Sequence, residues 1–344
     1  MTERPSPLVQ LTLARLRLFF REPSTIFWAF GFPILLSIGL GIAFRNRAPE
    51  AVRVAVLSGP GAERTLSELK SPLVKATVEE ATAASALLRS GKVALVIVPG
   101  EPRTYRYDET RPEARLARLL VDDLLQRAEG RSDVGSVADE RVTQVGARYI
   151  DFLVPGLVGM NLMSGSMWGI GYAIVEMRTK KLVKRMLATP MRRSDFLLSF
   201  VIMRALFVAV EVPVLFGFAW VAFGVGVLGS KLLLLAVCLL GAFTFGGLGL
   251  LAASRAQNTQ TVGGLMNLVM MPMFIGSGVF FSTSNFPDAV QPLLRVLPLT
   301  ALNDSLRAIS GEGAALPDVA RPILMLATWA LVSYVGALKL FRWR

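Results

Sequence analysis

Six stretches of about twenty predominantly apolar residues, near 25–44, 150–175, 198–223, 231–253, 262–281 and 320–340, leave this 344-residue chain few folds to choose from. A helix of that length crosses roughly 30 Å of hydrocarbon. In lipid it satisfies its own backbone groups, which an open sheet or a loop cannot do. With 53% apolar residues and a mean hydropathy of +0.52, the chain carries more apolar surface than a soluble core could hide. The sequence therefore predicts a mainly α membrane protein with six transmembrane helices. An even count puts both termini on one side.

Basic residues choose the side. The segments facing one way hold Arg4, Arg15, Arg17, Arg21, Arg178, Lys180, Lys181, Lys184, Arg185, Arg192, Arg193, Arg255, Lys339, Arg342 and Arg344. The short connections facing the other way hold only Lys231, Arg295, Arg307 and Arg321. Because short cytoplasmic loops collect Lys and Arg, both termini are expected in the cytoplasm and the protein in the inner (plasma) membrane. The long segment 45–147 holds 16 basic and 15 acidic residues, so nearly all of the formal charge of +12 lies on the membrane part and its loops. Topology alone accounts for that basicity, and no nucleic-acid partner is needed. No histidine is present, which removes His-based metal sites and His general bases; no metal site is expected. The one cysteine, Cys238, lies mid-span, so no intrachain disulfide can form.

Residues 1–24 contain "SPLVQLTLARLRLFFREP", in which Gln10, Arg17 and Arg21 share one side of a helix and apolar residues cover most of the rest, with Arg15 breaking the pattern. An interfacial cytoplasmic helix is expected there, ended by Pro23. A first span follows at 25–44. Residues 45–147 are expected to form a small external α/β domain between the first and second spans. "VRVAVL" and "VALVIV" are β-branched runs bounded by Gly and Pro, and "PEARLARLLVDDLLQRA" places Leu116, Leu119, Leu120 and Leu124 on one side of a helix. Arg131 to Glu140 reads as a polar linker. The remaining segment, 148–344, carries spans two to six. The second span contains Gly165-x-x-x-Gly169, a spacing that lets helices approach closely. Met163 and Met167 there, with Met266, Asn267 and Met270 in the fifth span, are candidate pathway residues, flexible thioethers being suited to varied apolar partners.

Residues 282–319 are punctuated by prolines and expected to form short external helices in or on the outer leaflet; Asp304 and Arg307, three apart, could pair there as an external gate. Arg204 and Glu211 lie seven apart inside the third span. Arg204 could snorkel to the inner surface, whereas Glu211 is too deep and needs a polar contact, structural or functional. Between the second and third spans stands "KKLVKRMLATPMRRSDFL". On a helix begun at Lys180, the residues Lys180, Lys181, Lys184 and Arg185 occupy one half of the circumference and Leu182, Val183, Met186 and Leu187 the other. Thr189-Pro190 then breaks the helix. Such a rod is either an anchor for anionic lipid or a lever on which a cytoplasmic motor seats.

The run "EMRTKKLVKRMLATPMRRSDFLLS", after a Gly-rich span, and the later "FPDAVQPLLRVLPLTALNDSLRAI" together resemble the signature regions of ABC-2 type permeases, the membrane subunits of ATP-binding-cassette exporters. The resemblance covers nearly the whole chain. It departs from many relatives at Lys180-Lys181, where they carry Gly-Thr. It implies a coupling helix over 176–193, with Glu176, Arg178, Lys180, Lys181, Lys184, Arg185, Thr189, Pro190, Arg192 and Arg193 docking on a separate ABC ATPase subunit. It further implies a homodimer of this chain working with two copies of that subunit and exporting an amphipathic or apolar, drug-like or lipid-like solute. The chain would then hold no cofactor and catalyse nothing itself; ATP and Mg would be bound by the partner. No G-x-x-x-x-G-K-[ST] occurs in the sequence, which agrees with that division of labour. The rival readings are an ATP-independent channel or carrier, for which rings of polar residues across several spans are missing, and a membrane-embedded enzyme, for which only Glu211 and Asp151 are on offer.

Overall fold

The computed structural model describes residues 7–43, 51–132, 135, 148–187 and 193–340. Two compact units divide the chain, one of residues 46–142 and one of residues 1–45 with 143–344. Much of the expected linker over 131–140, together with Arg4, Thr189, Pro190, Arg192, Arg342 and Arg344, lies outside the described residues.

The smaller unit is a four-stranded sheet with helices. Its strands are β1 (Val52–Leu57), β2 (Val74–Glu79), β3 (Leu95–Val98) and β4 (Thr104–Arg106), in the order β2-β1-β3-β4. β1 pairs in parallel with β2 and β3, while β4 runs antiparallel to β3. The parallel pairs require crossovers, supplied by Ala62–Glu68 and Ala81–Arg89. β1 and β3 were legible as apolar runs because both their faces are covered, with Val54, Ala55, Val56, Leu95 and Ile97 fully buried. The helix Pro112–Ala128 seats Ala114, Ala117, Val121 and Leu125 in the core. This corrects the face expected from the leucines: Leu116 and Leu119 are 65% and 60% exposed. Ala114, Ala117, Val121 and Leu125 mark its inner face, with Leu120 and Leu124 at the margin of the core.

The larger unit is built around two helices. The second apolar helix begins as Tyr149–Ser166 and continues through a π-helical turn, Met167–Tyr172, into Ala173–Thr179. It is buried almost all round, between the first helix, Pro23–Ala43, the third, Arg193–Phe223, the fourth, Lys231–Ala253, and Pro298–Gly311. The fourth packs in turn against the sixth, Ala320–Leu340, which completes the unit with the fifth, Thr259–Gly276. Among the described residues, four helices are long and apolar enough to cross a membrane by themselves: Pro23–Ala43, Asp195–Phe223, Lys231–Ala253 and Ala320–Leu340. Protein surrounds much of the second helix, so glycine, serine and asparagine enter it, whereas the fifth buries one side only, through Val262, Met266, Met270 and Met273.

Glycines decide how closely the second and fourth helices approach. A Cβ on Gly171 would run into the Gly249 carbonyl oxygen, and one on Gly249 would stand 2.9 Å from the backbone of Met167. Gly171→Ala is therefore expected to destabilise the protein by about 1–3 kcal/mol, the usual cost of overpacking. Gly169→Ala meets no atom within 4 Å and should cost nothing within one chain. Thermal melting of the two detergent-solubilised variants checks the contrast. Gly165 and Gly169 thus do different things: Gly165 lies against the Arg204 guanidinium of its own chain, while Gly169 faces open space.

Two short or terminal helices are held by protein contacts. In Pro298–Gly311 ten residues, from Pro298 to Ser310, are buried among the second, fourth and sixth helices. The N-terminal helix Pro7–Arg21 packs along the third helix, and Arg15, the residue that spoiled its amphipathic pattern, makes that contact. Its Nε donates to Ser199 Oγ at 3.1 Å, and its guanidinium sits 3.3 Å from the centroid of the Phe200 ring. On the rest of this helix, Val9, Leu13 and Phe20 form an exposed apolar stripe beside exposed Gln10 and Arg17.

Candidate functional site

Two clusters in the larger unit concentrate polar chemistry. The deeper one centres on Glu211, which is 2% exposed within the third helix. Arg204 Nη1 stands 2.9 Å from Glu211 Oε2, two turns away on the same helix face. The same guanidinium donates through Nε to Ser166 Oγ at 2.9 Å and through Nη2 to the Leu162 carbonyl at 3.3 Å. Asn161 Nδ2 donates to Glu211 Oε1 at 2.6 Å and to the Ala29 carbonyl at 2.7 Å. Ala29 belongs to a π-helical turn, Phe27–Gly31, in the first helix. A widened turn of this kind shifts the backbone ladder by one residue, and here one of its carbonyls accepts from a neighbouring helix. Three helices are tied through one ion pair.

This corrects the expectation that Arg204 snorkels. Its side chain turns inward because a carboxylate, a hydroxyl and a carbonyl wait there, a set of partners that the aqueous surface would have to outcompete. Asn161 and Ser166 had not been singled out. The signal for Asn161 was available: an amide in an otherwise apolar span must find partners, and Glu211 was the one unpartnered charge at similar depth.

The shallower cluster follows the second helix. The helix ends at Thr179, and Lys180 and Lys181 make a turn in which Lys181 takes φ +57°, before a short helix, Leu182–Leu187. The helix expected to begin at Lys180 and to break at Thr189-Pro190 thus begins only after a turn at Lys181. The break is the left-handed backbone of Lys181; the Lys180 ammonium, 2.8 Å from Glu176 Oε1 one turn back, supports the last turn of the helix before it. That bond, with the Glu176 charge, raises the Lys180 pKa above its ordinary value. The sorting of residues nevertheless survives the break. Lys180, Lys181, Lys184 and Arg185 are exposed, whereas Val183 is buried with Ile170, Ile174, Phe196, Phe200, Leu250 and Ala337. A single apolar cluster therefore joins the short helix to the second, third, fourth and sixth helices. Arg178 turns the other way, its Nη1 donating to the Ala253 and Ala256 carbonyls at 3.2 and 3.0 Å where the fourth helix ends. Thr189, Pro190 and Arg192 lie outside the described residues, and Arg193 opens the third helix.

The remaining candidates fall apart as sites. Met163, Met167, Met266 and Met270 are at most 3% exposed and belong to the apolar core, so they pack the protomer and line no opening within it. Asn267 lies on the opposite, exposed side of the fifth helix, with Leu268, Met271 and Ile275. Asp304 and Arg307 approach only to 3.9 Å. Arg307 is occupied instead by the Phe152 and Gly278 carbonyls and by the Phe152 ring, 3.6 Å from its centroid. It fastens helices together, and a gate pair is not what these contacts form. Among the described residues, no three His, Cys, Asp or Glu side chains gather to hold a metal ion.

A profile described as "ABC-2 family transporter protein" matches residues 23–339, from the start of the first apolar helix to the end of the sixth. The chain belongs to the ABC-2 transporter family. It is 26% identical over 200 residues to Nodulation protein J of Bradyrhizobium diazoefficiens, and 28% identical over 216 residues to Nodulation protein J of Rhizobium meliloti. Each match covers 58% of this chain and 76% of the relative. Members of the ABC-2 family are membrane-spanning transport subunits that normally work with a separate ATPase. For an ABC-2 subunit the two clusters have distinct standing: the shallow one is open to solvent and joined to the helices, the deep one is enclosed by them.

Proposed function

We propose that this chain is the permease subunit of an ATP-driven exporter in the inner membrane, with six spans, both termini cytoplasmic and the α/β unit external. One observation carries the reading. The basic residues Lys180, Lys181, Lys184 and Arg185 are exposed while Val183 and Met186 are packed into a cluster shared by four long helices. A surface built only to hold topology needs the charge but not that packing. A surface that receives force needs both, since displacement of Val183 must then displace Ile174, Phe196 and Leu250, close-packed interiors transmitting strain rather than absorbing it.

The driving subunit is a separate ABC ATPase that binds ATP and Mg, present in two copies beside two copies of this chain. The exposed face of the fifth helix, with Gly264, Asn267, Leu268 and Met271, is the surface offered to the second copy, and the pathway runs along it. This moves the pathway off the buried methionines and onto their exposed neighbours. An amphipathic or apolar cargo suits a surface with one amide among aliphatic side chains. Inverted vesicles containing the chain and its candidate ATPase should accumulate such a cargo only with hydrolysable ATP. Equal accumulation without the ATPase subunit would end this reading in favour of an unaided carrier.

A further inference from the structure

Between the sixth apolar helix and the short Gln291–Val296 helix lies an open groove of about 350 Å³, lined by Val296, Met325, Thr328, Trp329 and Val332. Its walls are held in place, since Trp329 Nε1 donates to the Val296 carbonyl at 3.0 Å where the short helix ends. The Thr328 hydroxyl is likewise engaged, donating to the Leu324 carbonyl at 2.8 Å. What remains toward the groove is aliphatic, aromatic and thioether surface.

The groove has a charged end. Arg321 stands one turn before Met325 on the same helix face, so Arg321, Met325, Thr328 and Val332 form one stripe. From Arg321 to Val332 the helix rises about 16 Å, close to half of the roughly 30 Å of a bilayer's hydrocarbon. Arg321 is exposed and has no ion-pair partner among the described residues. On the opposite wall Arg295 directly precedes Val296 and makes a long 3.4 Å hydrogen bond to Gln291 Oε1. The nearby carboxylates are partly engaged: Asp318 accepts from the Ala315 N–H at 2.9 Å, and Asp304 lies beside Arg307.

Dimensions and charge together select the occupant. Five lining residues fall far short of the roughly 20–30 per side that a stable protein interface uses, which disfavours a second copy. A polar metabolite would find almost nothing to bond. An apolar stripe one leaflet deep with the Arg321 guanidinium at one end matches one acyl chain and its phosphate, which arginine binds through paired N–H donors.

We propose that this groove holds a resident glycerophospholipid, one acyl chain along Met325, Trp329 and Val332 and its phosphate at Arg321. The inference requires only that the sixth helix spans the membrane, and it is independent of the ATPase partnership.

Native mass spectrometry of the detergent-solubilised full chain, titrated with dipalmitoyl phosphatidylglycerol or with dipalmitoylglycerol, tests it. The phosphatidylglycerol adduct should persist at activation energies that strip the phosphate-free lipid. Arg321→Ala should lower its occupancy roughly tenfold or more, as expected for losing charge-assisted hydrogen bonds. Val332→Trp, which fills the groove and leaves Arg321 in place, should also remove the adduct, with helical circular dichroism unchanged. Equal retention of the two lipids, or adducts indifferent to both variants, would overturn the proposal. So would the finding that Val332→Trp abolishes a dimer of this chain and leaves the lipid bound.

Discussion

Arg204→Ala is expected to cost about 3–5 kcal/mol, the penalty for leaving one member of a buried ion pair without its partner, and so to remove most of the protein from the monodisperse peak in detergent size-exclusion chromatography. The reason lies in what the guanidinium holds. It faces Glu211, Ser166 and the Leu162 carbonyl at once, so truncation strands a carboxylate that is 2% exposed and frees two further acceptors. Glu211→Gln keeps one acceptor oxygen, enough for Arg204 or for Asn161 but not for both, because its NH2 is a donor; it should therefore also destabilise, with Arg204 still held by Ser166 and the Leu162 carbonyl. Removing both charges together, as Arg204→Met with Glu211→Leu, should recover a substantial part of the loss, since apolar replacements of a buried pair are often tolerated. If the double variant assembles and still transports, the pair is structural. Should it assemble but transport nothing, Glu211 has a second role that its contacts do not reveal.

How far the sequence reveals this molecule depends on where each residue finds its partners. The apolar helices were legible because lipid and core both select for length and hydropathy, and these can be counted. The face of Pro112–Ala128 was not, since Ala114 and Ala117 hold inner positions that a hydropathy pattern undervalues. Arg15 and Arg204 were misjudged for a related reason. Each has an aqueous alternative that the sequence suggests, and each is drawn inward by partners 184 and 38 residues distant, Ser199 and Ser166. The four methionines read as pathway candidates lie buried in the core of one chain, a placement that their adaptable shape does not announce. In the cytoplasmic segment, the division into basic and apolar sides was readable from spacing, but the turn at Lys181 was not. A left-handed lysine has no compositional mark, and the Glu176–Lys180 pair that accompanies it also occurs in uninterrupted helices.

Reversing charge at the tip of that segment carries the second large effect. Lys184→Glu with Arg185→Glu changes the local charge by four units on a surface that is exposed and has no part in the apolar cluster beneath it. The fold should therefore hold, with an unchanged melting temperature, while co-purification of the ATPase subunit falls below detection. Charge reversal at a docking surface slows association and sets like charges against each other, which costs several kcal/mol in suppressed binding. Val183→Ala provides the complement. Truncating this buried residue by two methyl groups loosens the short helix from Ile174, Phe196 and Leu250 but leaves every basic residue in place, so the ATPase should still bind while ATP-driven transport declines. A lipid anchor predicts the opposite ordering: charge reversal would disturb membrane insertion without touching the ATPase, and Val183→Ala would be silent in transport. The two variants thus separate contact from transmission, because the residues that meet the partner and those that carry its motion lie on opposite sides of one six-residue helix.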